Sequence, residues 1–132
     1  MTAVVVDTCV VSFLLKNDTR AELYRPHLEV GTKVISFMTL AELYRWSEVR
    51  DWSEHRKAEL EDDLSPYVVY GVSRALCHMW AETTDQARRR GHPIDVDDAW
   101  IAATALLYDL PLVSNNRRDF THIPDLTLLS EV

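Results

Sequence analysis

Glycine is scarce in this chain: three residues, at positions 31, 71 and 91, none near another. That excludes a glycine-rich loop cradling a phosphate. Cysteine is scarcer, with only Cys9 and Cys77, too few and too far apart for a disulfide framework or a zinc site. Both are expected to be buried as small hydrophobes. No apolar run approaches the roughly 20 residues that cross a bilayer. The first six residues carry no basic region of the kind that opens a signal peptide. A cytoplasmic protein without a membrane partner is therefore expected. The HExxH and GxSxG motifs are both missing, which removes the common zinc-protease and serine-hydrolase signatures.

What is present is an ordinary globular composition, 47% apolar and 27% charged. A length of 132 residues suits one domain with a real core, residues 1–132. The net charge is −7, which taken alone argues against a nucleic-acid partner. Setting aside Asp7, Glu42, Asp98 and Asp119 leaves −3, so part of the acidity is local if those four share a site.

The run Ala3-Val4-Val5-Val6 leads straight into Asp7. An apolar run without polar alternation reads as a strand buried on both faces, as in a parallel sheet covered by helices. Asp7 then falls at the strand's carboxyl end, the edge where open α/β sheets bind ligands. Further along, Cys9–Leu15 opens a short helix, and Asn17-Asp18-Thr19 is a turn. Arg20–Leu28 reads as a helix ended by Gly31, and Lys33–Phe37 as a second strand. Thr39 is the expected N-cap of a helix running to about Val49, with Glu42 at its third position. Ser53–Asp63 reads as a charged surface helix, Tyr67–Tyr70 as a strand, and Ser73 as the cap of a helix reaching about Arg90. Asp98–Tyr108 forms a helix whose alanines let it lie close to a sheet, and Asp95 caps it. Leu112–Ser114 is a strand, Asn115–Phe120 a turn or single helical turn, and Leu126–Leu129 a last strand. The alternation predicts an α/β/α sandwich on a mainly parallel sheet.

In such a sheet, strand ends and the helix starts that follow them lie on one edge. Asp7, Glu42, Asp98, Asn116 and Asp119 all occupy such places. Each also has a plain structural reading. Glu42 completes a capping box with Thr39, Asp98 faces a helix N-terminus, and Asp119 sits in a turn. Asp7 has the weakest one, since a hydrophobic strand gains nothing by ending in a buried charge. Carboxylates gathered on one edge need a compensating cation. Without nearby cysteine or histidine ligands, Mg²⁺ or Mn²⁺ suits them better than zinc. Such a cation supplies what phosphodiester hydrolysis needs, and no side-chain general base is evident.

Four segments taken in order carry a resemblance: Val6-Asp7-Thr8, Thr39-Leu40-Ala41-Glu42-Leu43, Asp98–Ala105, and Ser114-Asn115-Asn116-Arg117-Arg118-Asp119-Phe120. Together they resemble the PIN domain, specifically the VapC-type toxins of prokaryotic toxin–antitoxin pairs, over nearly the whole chain. The resemblance implies a five-stranded sheet of order 3-2-1-4-5 and an Mg²⁺- or Mn²⁺-dependent endoribonuclease leaving a 5′-phosphate and a 3′-hydroxyl. It carries the invariant acidic positions onto Asp7, Glu42 and Asp98, with Asp7 and Asp98 holding the principal ion. At the fourth position Asn116 stands where many members have aspartate, and Asp119 supplies a carboxylate one turn later. Ser114 replaces the commoner threonine and keeps the hydroxyl. Thr8, Ser114, Asn116, Arg117 and Arg118 are the expected supporting or substrate-contacting residues. A VapB-like antitoxin covering the site and a homodimer are also implied.

An acidic protein must still attract RNA. Arg117-Arg118 and Arg88-Arg89-Arg90 are the candidate phosphate contacts. Trp46 and Trp52, beside a charged stretch, are candidates for a partner groove. Two other classes compete. A receiver-type phospho-acceptor domain wants a lysine after its last strand, and the three lysines are Lys16, Lys33 and Lys57. A PIN-like binding module without cleavage is disfavoured by the three retained acids.

Overall fold

The computed structural model of the chain describes residues 2–29 and 31–132. Five strands, β1 (Thr2–Val6), β2 (Gly31–Ser36), β3 (Val68–Tyr70), β4 (Leu112–Val113) and β5 (Leu128–Leu129), form one sheet of order β3-β2-β1-β4-β5. Every pairing is parallel, so the sheet is wholly rather than mainly so. The helices are α1 (Thr8–Leu15), α2 (Ala21–Leu28), α3 (Phe37–Val49), α4 (Glu54–Leu64), α5 (Arg74–Arg89), α6 (Val96–Leu107) and α7 (Arg117–Phe120).

Alternate residues of the inner strands feed two cores, because successive side chains of a strand point to opposite faces. Val4, Val6, Ile35 and Val113 pack with Val10, Phe13, Tyr24, Leu43 and Leu60, from α1 to α4. Val5, Val34 and Leu112 pack with Ile101, Ala102 and Ala105 of α6 and Phe120 of α7. The central strand β1 is therefore buried on both faces, and each of its valines contributes about 1.5–3 kcal/mol. Ala99, Ala102, Ala103 and Ala105 are all buried, so α6 lies against the sheet, and α5 packs outside it.

With glycine so scarce, other residues close the helices. Asn17, Asp51 and Asp109 adopt positive φ of 52°, 51° and 53° directly after α1, α3 and α6, as Gly91 does after α5 at 78°. Each is followed by the paired backbone bonds of a Schellman cap, for instance Asp18 N to Phe13 O and Asn17 N to Leu14 O. Asn and Asp tolerate this left-handed geometry best after glycine.

Three sequence expectations need correction. Gly31 does not close α2, whose C-cap is Glu29; it opens β2 opposite Thr2. A Cβ there would lie 1.8 Å from the Thr2 carbonyl oxygen, so close approach of two strands explains the glycine. Ser36, not Thr39, is the N-cap of α3, its hydroxyl accepting from Met38 N. Glu42 thus stands in the second turn, and the capping-box reading fails. Cys77 is exposed on α5 rather than buried.

Candidate active site

The carboxyl edge of β1, β4 and β2 delivers Asp7, Ser114 and Ser36 side by side, since Asp7 N donates to Val113 O and the strands run parallel. Asp7 is the N-cap of α1 and only 2% exposed. Its Oδ1 accepts from Thr8 N at 2.8 Å. Its Oδ2 accepts from Ser114 Oγ at 2.6 Å and from Cys9 Sγ at 3.3 Å. Burial nonetheless pushes its pKa up, and these donors only partly counter that, while Asp119 adds repulsion.

Thr8 and Thr39 hold Glu42. Thr8 Oγ1 donates to Glu42 Oε1 at 2.9 Å and lies 2.9 Å from Thr39 Oγ1. Having spent its one proton on Glu42, the Thr8 hydroxyl accepts from Thr39. Glu42 is half-buried, and its pKa is raised first by desolvation, then by Asp97 and Asp7. Asp98, in the first turn of α6, is raised as well. Its pKa rises to about 7 through burial and through repulsion from Asp7, Asp119, Asp95 and Glu42. Four other carboxylates acting on one group place all five within electrostatic reach.

Asp119 is exposed on α7 and shares a cavity of about 330 Å³ with Asp98, Asp95 and Arg118. Asp95 caps α6 by position, but its side chain makes no capping bond. Asn116 is exposed, and its backbone N–H donates to Ser114 Oγ. Arg117, expected at the substrate, turns away: its Nε donates to Val132 O at 2.7 Å and Nη2 to Ser130 O. Arg88 and Arg89 are both occupied by Asp85.

The sequence reading missed Cys9 and Thr39 as partners of the acidic cluster, and the two histidines, His92 and His122, that line the cavity with Asp98 and Asp119. The signal for Cys9 was its place two residues after a capping aspartate. For the histidines there was none, because 30 residues separate them in sequence.

Among the described residues, no three His, Cys, Asp or Glu side chains stand ready-made as a metal site. The donor set nonetheless suits a hard cation. Asp7, Glu42, Asp98 and Asp119 offer only oxygens, and Asp7, Glu42 and Asp98 are raised first by burial and then by neighbouring carboxylates, a repulsion that a bound cation would offset.

One turn further along α3 from Glu42, Trp46 lines with Trp52 a groove of about 220 Å³, together with Leu60 and the charged Lys16, Arg50, Arg56, Glu59 and Asp63. Arg50 lies 5.3 Å from the Trp46 ring centre and Arg56 4.2 Å from that of Trp52.

The PIN domain family model matches residues 4–126 of the chain. Ribonuclease VapC2 of Haemophilus influenzae is 30% identical over 117 residues, 89% of each chain. The tRNA(fMet)-specific endonuclease VapC of Shigella flexneri is 29% identical over 120 residues, 91% of each. Among solved structures, DNA-bound VapBC from Salmonella typhimurium superposes with a TM-score of 0.85 at 27% identity, over 98% of each chain.

Proposed function

The chain belongs to the PIN-domain family and, within it, to the VapC ribonucleases of toxin–antitoxin systems, and from that premise we propose that it cleaves RNA through a Mg²⁺ or Mn²⁺ ion held by Asp7, Glu42 and Asp98, with Asp119 beside them. The observation that carries this reading is the Asp98 carboxyl, raised to about 7 by burial and by four carboxylates around it. When bound, the cation supplies a water of lowered pKa and neutralises phosphate charge.

The chain's own residues prepare the site. Ser114, Cys9 and the Thr8 amide fix both oxygens of Asp7, so that carboxylate is aimed before any ligand arrives. The Thr39–Thr8–Glu42 relay does the same for Glu42. Arg118 lines the cavity shared with Asp98 and Asp119, and we assign it the contact to a substrate phosphate. Cleavage leaves a 5′-phosphate and a 3′-hydroxyl. Initiator tRNA is the first substrate to test, because the Shigella relative is named for it.

The tryptophan groove is the docking site we assign to the antitoxin. Its apolar floor suits the apolar face of an amphipathic segment, and Lys16, Arg50 and Arg56, set against Glu59 and Asp63, leave the lining slightly basic for an acidic one. A homodimer is part of the same proposal, to be read by light scattering.

The decisive assay incubates the purified protein with initiator tRNA and with total RNA, in Mg²⁺ or Mn²⁺ and in EDTA. Cleavage that needs the cation and is lost in D7N supports the reading. Cation-dependent cleavage retained by D7N removes Asp7 from the chemistry. The alternative that the sequence leaves open is a binding module without cleavage. Calorimetric Mn²⁺ binding with RNA left intact would select it.

A further inference from the structure

His92 and His122 stack face to face, ring centres 3.8 Å apart and planes 6° from parallel. Both are exposed, so each ring has one face spent on its partner and an outer side open. Rigid elements hold them there. His92 follows Gly91 in the Schellman cap of α5, its N–H donating to Ala87 O. His122 follows Thr121, the C-cap of α7, between the backbone bonds Thr121 N to Arg117 O and Ile123 N to Phe120 O.

The pair separates two cavities. On one side are Asp98, Asp119 and Arg118; on the other are Arg90 and Thr121. Among the described residues neither Arg90 nor Arg118 is in an ion pair, whereas Arg88 and Arg89 are held by Asp85. An aromatic ledge with an uncommitted guanidinium on either side, starting at the acidic cluster, matches how single-stranded nucleic acid is bound. Bases stack on rings while cations follow the backbone.

We propose that the His92–His122 pair is a base-stacking ledge for a nucleotide flanking the cleaved bond, with Arg118 and Arg90 taking the phosphates on its two sides. The assignment rests on the ribonuclease reading and adds to it a path: the RNA leaves the carboxylates across the end of α7 toward the end of α5. Here the histidines are positioning residues, acting on the substrate through contact and not through proton transfer.

The test uses a radiolabelled RNA containing a bond that the wild type cuts, with filter binding measured in EDTA so that the strand stays whole. H92A and H122A, singly and together, are expected to weaken binding about 10-fold, the usual scale for one lost base stack. H92F/H122F, which keeps flat rings, is expected to restore most of it. R118A and R90A should each lower the salt dependence by about one counterion. An abasic nucleotide moved along the RNA should weaken wild-type binding at one position beside the cut, and that sensitivity should vanish in the alanine variants. Alanine variants that bind like the wild type, or keep the same abasic profile, overturn the ledge. If the double variant does not fold, the single variants and the wild-type abasic profile decide. A wild type that cuts no RNA in Mn²⁺ overturns the ribonuclease reading itself, a result visible without any variant.

Discussion

Asp98 keeps its proton in the folded protein up to about pH 7, while in the unfolded chain it titrates near the ordinary 3.8. Between those values the folded state binds more protons, so this group's contribution to stability falls as pH rises from about 4 to about 7. Asp7 and Glu42, also raised, act in the same direction. D98N is therefore expected to stabilise the cation-free protein at pH 8 by about 1–2 kcal/mol, the shift being discounted for partial solvent screening. Little change is expected near pH 4. Urea denaturation in EDTA at the two pH values checks this, and an unchanged pH slope in D98N would refute it. Ser114 gives the opposite case. S114A strips a 2.6 Å donor from a buried carboxylate and should cost about 1–3 kcal/mol, measured in the same way. It should also reduce cleavage, since Asp7 loses one of the groups that aim it.

At the scale of elements, β2 enters the sheet through Gly31, pressed against the Thr2 carbonyl. G31A should push the two strands apart there and lower stability by about 1–3 kcal/mol, read by thermal denaturation. This glycine also shows where a sequence stops being informative. As a lone glycine after a helical pattern it has the form of a helix terminator, and only the approach of β1 reveals its purpose. The start of α3 is similar. Ser36 and Thr39 are both good caps, and Ser36 is at once the last residue of β2 and the cap of α3, which the sequence pattern does not distinguish. Uninterrupted apolar runs, by contrast, gave β1 and its two-sided burial directly. The acidic positions could be placed on one edge because strand ends and the helix starts after them must share it. The stacked histidines, the Cys9–Asp7 bond and the diversion of Arg117 to the backbone at Ser130 and Val132 depend on packing between distant segments. Periodicity does not encode such contacts.

For the whole molecule, the tryptophan groove continues from the acidic edge, since Trp46 lies one turn after Glu42 on α3 and lines a further cavity with Glu42 and Asp97. Mn²⁺ at about 100 times its dissociation constant is expected to stabilise the protein by about 2.7 kcal/mol at pH 8. At pH 5, where more of the carboxylates hold protons, the gain should be smaller. Differential scanning fluorimetry reads both, and equal gains would place the ion elsewhere. R50E/R56E is expected to weaken the antitoxin complex at least 10-fold by opposing its acidic segment, measured by surface plasmon resonance. The two thiols differ sharply. Cys9 is pushed up to about 12 by burial and the neighbouring Asp7, so almost none of it is thiolate at neutral pH, whereas Cys77 stands open on α5. A maleimide fluorophore should therefore attach at Cys77 alone. The native chain would then carry a single optical reporter on the helix that leads to His92, with no cysteine engineered in or out.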